Sequence, residues 1–261
     1  FFSKKKPSAA YDPAVQRPAL RCSICTGEQV AGFVHPDGHF EDVQLIRTPQ
    51  ELAAFRTRYG IDVSSFQGEI DWNAVADDNI DFAMVRVGFR GTGTGSLNTD
   101  KYYEQNIRGA MRAGLETGVY FFAQAVTVEE AIEEADYVIS LLDGLDINGP
   151  VAYDWEMHDS TYRVYGTSPE MATACAVAFC QRIKDAGYTP MVYGGTYVTY
   201  MKYDQGALAD YLSWYPEYKS EKSEKLCPTL VYHMDYWQFP SRRAVPGING
   251  RVDMNIQFIR R

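Results

Sequence analysis

Apolar and polar positions repeat along this chain with two different periods, and the change between them divides it. Residues 1–20 mix Lys, Pro and Ala with no period and read as a linker or tail. Two β-rich runs, residues 30–34 and 40–46, flank Pro36-Asp37-Gly38, which is the pattern of a hairpin and its turn. Thr48-Pro49-Gln50-Glu51 then predicts a short helix, with Thr48 as N-cap, Pro49 at the first position and Glu51 closing a capping box. Residues 21–58 are therefore expected to form a small β-hairpin–helix appendage, in which no chemistry is evident.

From residue 59 onward short apolar runs alternate with amphipathic segments. The runs lie at 83–89, 119–125, 151–155, 191–193 and 230–237. Thr127 and Glu130 make a second capping box, and Val128, Ala131, Ile132, Ala135, Val138, Ile139 and Leu142 fall on one helical face. Another helix opens at Ser168-Pro169 and stops at Gly187, and an earlier one through Tyr103, Ile107, Ala110 and Met111 stops at Gly114. Strand–helix alternation of this length implies parallel strands, in an open α/β sheet or a closed barrel. No phosphate-cradling glycine loop follows the first strand, which weakens the nucleotide-binding sheet. Gly91-Thr92-Gly93-Thr94-Gly95 lacks the Lys-Ser/Thr of such a loop and reads as a flexible connection.

Charge and cysteines narrow the function classes. A formal charge of -9 over 261 residues argues against nucleic acid, whose phosphates demand basic patches. Among the 19 Tyr, 13 Phe and 4 Trp, the Tyr and Trp offer an apolar face with a polar handle, which suits sugar binding, although aromatic residues also fill cores. The cysteines, Cys22, Cys25, Cys175, Cys180 and Cys227, are too few and too irregular for a disulfide framework. Cys175 and Cys180 point about 140° apart on a helix and read as small buried apolar residues. Cys22 and Cys25 form a lone C-x-x-C with no second pair for zinc, leaving a local disulfide or two free thiols. None of the four histidines has ligand spacing, so neither a metal nor another cofactor is implied. The opening Phe1-Phe2-Ser3-Lys4-Lys5-Lys6 reads as the exit of an excised signal or anchor segment, or as a disordered tail. The first reading implies an extracellular or cell-surface protein, in membrane contact only through such an anchor.

Val151-Ala152-Tyr153-Asp154-Trp155-Glu156 carries the chemistry. On a strand, side chains at i and i+2 share a face about 6.5–7 Å apart, so Asp154 and Glu156 point the same way at the end of an apolar run. Repulsion and low local dielectric raise one pKa and leave an acid beside a base, the pair that glycoside hydrolysis requires. The plain alternative is that both acids face solvent beyond the strand end. Their surroundings oppose it. Gly60-Ile61-Asp62-Val63-Ser64 puts an acid at the end of the first barrel strand, and Val252-Asp253-Met254-Asn255 puts one near the end of the last. In a closed barrel Asp62 and Asp253 converge with the D-x-E pair on one mouth. Arg86, charged within an apolar run, is expected to pair with Asp62 or another buried acid. Tyr120, Tyr193, Trp214, Tyr218 and Trp237 lie at or near strand ends, as sugar platforms and hydroxyl donors or as barrel packing.

With these residues in place, residues 59–259 resemble glycoside hydrolase family 25, the barrel-fold N-acetylmuramidases. The matching stretches run in order. They begin with Gly60 to Gly68, Ile70-Asp71-Trp72, Phe82 to Gly88, Ala113-Gly114-Leu115 and Gly118-Val119-Tyr120-Phe121. Asp154-Trp155-Glu156 follows, then Gly187-Tyr188-Thr189-Pro190, Val192-Tyr193, Trp214 to Tyr218, Trp237-Gln238, Gly247-Ile248 and Val252 to Asn255. The resemblance implies an α/β fold, an irregular TIM-like (β/α) barrel over residues 59–261 with fewer than eight full helices. It implies a lysozyme-like monomer whose partner is the peptidoglycan glycan strand. Glu156 would be the general acid at the β-1,4 bond between N-acetylmuramic acid and N-acetylglucosamine. Asp154 would orient the substrate's acetamido group as internal nucleophile, with net retention; a rival route makes Asp253 or Asp62 the nucleophile or base. Phe66 stands where the family usually has Trp or Tyr, and Pro216 where it has a small residue; both bear on substrate preference. Two other classes are a non-catalytic wall-binding module on the same barrel and a metal-dependent hydrolase that uses the acids as ligands.

Overall fold

The computed structural model describes residues 17–23, 28–35, 37, 39–47, 57–217, 233–239 and 244–258, and the chain divides into two compact units. The smaller unit contains an antiparallel three-stranded sheet, β1 (Arg17–Cys22), β2 (Gln29–Val34) and β3 (Phe40–Ile46), in that order. Strands β2 and β3 are the expected hairpin; at its turn the His39 N–H donates to Asp37 Oδ1 at 2.9 Å. Strand β1 corrects the reading of residues 17–20 as linker: their backbone pairs along β2, from Arg17 opposite Val34 to Cys22 opposite Gln29. The helix expected from Thr48, and Cys25 and Cys227, lie outside the described residues.

The larger unit follows the chain as β4 (Thr57–Val63), a 3-10 turn (Ser65–Gln67), α1 (Trp72–Asp77), β5 (Phe82–Arg90), β6 (Leu97–Thr99) and α2 (Tyr103–Arg112). Then come β7 (Glu116–Ala123), α3 (Val128–Leu141), β8 (Val151–Trp155), α4 (Pro169–Asp185), β9 (Pro190–Tyr193) and α5 (Thr196–Met201). The last strands are β10 (Leu212–Pro216), β11 (Tyr236–Phe239) and β12 (Asp253–Phe258). They hydrogen-bond in the order β4-β12-β11-β10-β9-β8-β7-β5, and β4 pairs again with β5, so eight strands close into a barrel. Strand β6 folds back on β5 through the Gly91–Ser96 turn, outside the ring. The expectation of parallel strands holds from β4 round to β11, but β12 is antiparallel to β11. Asp253 is thus the first residue of its strand, not near its end, and reversal brings it to the mouth where the other strands finish.

The two-residue period of the strands builds two cores. Phe82, Met84, Ala152, Met191, Tyr193, Trp214 and Tyr236 pack together inside the barrel. Ile61, Val85, Val119, Phe121, Tyr153, Trp155 and Val192 face outward and pack with Ala131, Ala135, Phe179 and Ile183 of the helices. Gly60 is required inside: a Cβ there would lie 2.3 Å from the Phe82 ring.

Capping follows the sequence signals. Thr127 Oγ1 accepts the Glu130 N–H at 3.3 Å, while the Glu130 carboxylate accepts from Val126, one residue before the cap. Ser168 caps α4, and Gly187 past its end takes φ 91°, a left-handed stop. On α3, Ala131, Ala135 and Val138 are buried as expected, but Ile132 is exposed and Glu134 is buried in its stead. Cys175 and Cys180 are free, buried thiols, raised above the usual thiol range by burial. No helix among the described residues is long and apolar enough to cross a membrane.

Candidate active site

Strand β8 delivers both carboxylates to the mouth. Its ladder with β7 ends at Trp155 opposite Ala123, so Asp154 sits on the last regular turn of pleat and Glu156 just beyond it. Asp154 is 5% exposed, and the Glu156 side chain 24%. Burial first, and then the Glu156 charge, pushes the Asp154 carboxyl well above the usual range. Asp154 Oδ1 is buried and has no hydrogen-bond partner. On its open side Glu156 Oε2 lies 2.8 Å from His158 Nε2, whose ring stands edge-on to Tyr162 at 5.3 Å.

Asp62, at the end of β4, faces this pair across the mouth. Its Oδ2 accepts from Gln238 Nε2 at 2.9 Å and from Asn255 Nδ2 at 2.8 Å. Burial, reinforced by the Asp253 charge, raises the Asp62 carboxyl to about 7. Asp62, Asp154, Glu156 and Asp253 all line one cleft of ≈ 310 Å³. The four sequence-selected acids are therefore together. Among the described residues, no group of three His, Cys, Asp or Glu is arranged to hold a metal ion.

Arg86 lines the same cleft but pairs with Asp100, not Asp62. Its Nε donates to Asp100 Oδ2 at 2.9 Å and its terminal nitrogen to Ser65 Oγ at 3.2 Å. Asp100, 1% exposed, also accepts the backbone N–H groups of Ser65 and Tyr102, each at 3.0 Å. The guanidinium thus neutralises a buried acid and pins the turn after β4. Phe66 on that turn is 83% exposed, with its ring 5.0 Å from the Arg86 guanidinium carbon.

The aromatic candidates separate. Tyr120 lines the cleft and meets Trp214 edge-on at 5.8 Å. Tyr193 and Trp214 are buried beneath it: the Tyr193 hydroxyl donates to Gln238 Oε1 at 2.9 Å and Trp214 Nε1 to Asn255 Oδ1 at 2.8 Å. Each amide oxygen is therefore occupied by an aromatic donor, which turns each amide nitrogen toward Asp62. Trp237 lies on the opposite face of β11 from Gln238, stacked near Phe239 at 5.1 Å, and does not line the cleft. Tyr218 lies outside the described residues.

Sequence reasoning passed over Gln238, Asn255, Asp100 and His158 as site residues, and read Phe66 only as bearing on substrate preference. Asn255 was legible, since it shares a strand face with Asp253 two residues away, and His158 stands two residues past Glu156. Asp100 carries no local signal, because its partner lies on another strand.

Residues 61–248 match the family Glycosyl hydrolases family 25. The autolytic lysozyme of Clostridium acetobutylicum is 25% identical over 197 residues, 75% of this chain and 54% of that protein. Lysozyme M1 of Streptomyces globisporus is 26% identical over 201 residues, again 75% of this chain and 66% of the relative. The chain thus spans about half to two thirds of the length of these relatives. Among solved structures, the bacterial lysozyme from Streptomyces coelicolor superposes with a TM-score of 0.60 at 24% identity, over 76% of this chain and 90% of that one, and shares the fold.

Proposed function

The chain belongs to the glycosyl hydrolases of family 25, and on that premise we propose that it hydrolyses peptidoglycan at the β-1,4 bond between N-acetylmuramic acid and N-acetylglucosamine. The observation that carries this reading is the Asp154–Glu156 pair, set in one cleft with Asp62 and Asp253. The similarity to two proteins named lysozymes supports it. The substrate is the glycan strand of a cell wall, which places the work of the enzyme outside the cell or at its surface.

In the free protein the pair shares one proton, which burial keeps on Asp154. The acetamido N–H of a bound N-acetyl sugar donates to Asp154 Oδ1, the acceptor left without a partner. That bond stabilises the Asp154 anion and shifts the proton to Glu156. Glu156 then protonates the leaving glycosidic oxygen while the acetamido carbonyl oxygen attacks C1; the C1–O bond breaks and an oxazolinium forms. The Glu156 carboxylate next takes a proton from water as its oxygen attacks C1 and reopens the ring. Two inversions leave the configuration retained, without a carboxylate nucleophile. Asp62, with a pKa of about 7, is a poor nucleophile near neutrality. Burial, and then the Glu156 charge, hold the Asp154 proton in place, and Asp62 adds to them only as it ionises.

The test is digestion of purified peptidoglycan, borohydride reduction and mass spectrometry of the released fragments. Newly reduced muramic acid ends are expected. Reduced glucosamine ends alone would make the protein a glucosaminidase, and sedimentation with peptidoglycan without any product would make it a wall-binding module.

A further inference from the structure

Glu156 lies one residue beyond the last rung of the β7–β8 ladder, so regular strand pairing does not hold its backbone. What holds it is a side chain. Gln124, the first residue after β7 and 0% exposed, donates from Nε2 to the Glu156 carbonyl oxygen at 2.8 Å. The carbonyl can only accept, which fixes the orientation of the amide.

The backbone of Gln124 is itself clamped at both ends. Its N–H donates to Glu134 Oε1 at 3.0 Å, and its carbonyl accepts from Arg163 at 2.7 Å. Glu134, 0% exposed, is paired with the Arg90 Nε at 2.7 Å, and Arg163 is held by both oxygens of Glu130. Alongside, Trp155 Nε1 donates to the Ala125 carbonyl at 3.1 Å. The chain after β7 and the end of β8 are thus laced together by side-chain donors at the point where the ladder stops. The backbone N–H of Gln124 is diverted to Glu134, and its side-chain amide reaches Glu156 instead. Gln124 Oε1 meanwhile is buried with no partner. Leaving a buried amide oxygen unsatisfied is unfavourable, so stability is a poor reason for Gln at this position; the bond to Glu156 is the better one.

We infer that Gln124 is the positioning residue for Glu156, its buried amide holding the Glu156 backbone so that the carboxyl stays beside Asp154, with the Arg90–Glu134 and Arg163–Glu130 pairs as its anchors. This rests on the proposed hydrolysis, in which Glu156 moves the proton; Gln124 touches no substrate.

Two near-isosteric variants test it. Gln124→Met keeps the length and loses the donor at every pH. Gln124→Glu can donate only while the introduced carboxyl is protonated, and burial among Glu134, Glu130, Arg163 and Glu156 decides where that proton leaves. With soluble peptidoglycan fragments, kcat of Gln124→Met is expected to fall about 10- to 100-fold, the scale of a small misplacement, with KM within about twofold. Gln124→Glu is expected to approach wild type at acid pH and to fall to the level of Gln124→Met as pH rises, a limb absent from wild type. Circular dichroism at each pH confirms that the folded protein is being read. Wild-type kcat in Gln124→Met, or the same pH profile in both variants, would overturn the inference. A crystal structure of Gln124→Met gives a readout independent of turnover: displacement of Glu156 is expected, and an unmoved Glu156 sinks the positioning role. If wild type itself releases no fragments, the proposed hydrolysis fails, and the crystal comparison still decides the placement.

Discussion

Asn255 Nδ2 donates to Asp62 Oδ2 at 2.8 Å, and this bond crosses the seam where antiparallel β12 meets β4 to close the ring. The same amide accepts from Trp214 Nε1 at 2.8 Å, so one buried side chain links the barrel floor to an acid of the cleft. Gln238 makes the parallel link from Tyr193. The aromatic residues chosen from the sequence as sugar platforms thus include two that act one step removed, by orienting the amides that hold Asp62.

Truncating Asn255 tests that link. Asn255→Ala leaves the buried Trp214 N–H without an acceptor and removes one of the two amide donors to Asp62, so a loss of about 2–4 kcal/mol of stability is expected. Urea unfolding measures it. A loss below about 0.5 kcal/mol, the scale of an ordinary surface change, would show that the bond contributes nothing to closure.

Asp62 should make the protein less stable as pH rises. Its carboxyl is raised from 3.8 to about 7 in the folded protein, so between those values the native state keeps a proton the unfolded chain has released. The stability from this source is full below 3.8 and is lost as pH rises through about 7. Asp62→Asn removes the dependence and keeps an oxygen for both amide donors. Its melting temperature relative to wild type should climb by several degrees between about pH 4 and pH 8. A difference that stays flat with pH would contradict the burial of this charge.

Glu156→Gln keeps the shape of the pair and removes its transferable proton. Turnover of peptidoglycan is expected to fall by about 10²- to 10⁴-fold, the range for loss of general acid–base catalysis, while sedimentation with the polymer is kept. Counting reducing ends measures the first. Activity within a few-fold of wild type would remove Glu156 from the chemistry.

Phe66 lies 83% exposed on the cleft lip and packs on Arg86 from above. Phe66→Ala should leave stability within about 0.5 kcal/mol of wild type and, if the ring contacts the glycan, raise KM several-fold. An unchanged KM would leave the ring without a part in binding.

The chain's own pattern went far with features that depend on neighbours in sequence. The i, i+2 rule placed Asp154 and Glu156 on one face, caps at Thr127 and Ser168 set helix starts, and alternation of strand with helix narrowed the fold to an open sheet or a closed barrel. It stumbled where local pattern had a competitor. Ile132 lost its buried place to Glu134 because Arg90 arrives from β5 to pair with that acid. Residues 17–20 looked like linker because what makes them a strand is the edge offered by β2.

Geometry repeating along a chain is set by bond angles and steric limits, so the facing of each side chain on its strand or helix could be read before any folding. Which strands become neighbours when eight of them close is a matter of contacts between segments far apart, and no local period encodes it. Reversal of β12 brought Asp253 to the acid cleft, ring closure set Asn255 against Asp62, and folding back of β6 led the chain to Asp100, where Arg86 found its partner. Gln124 reaches Glu156 for the same reason: strand ends 32 residues apart are brought side by side.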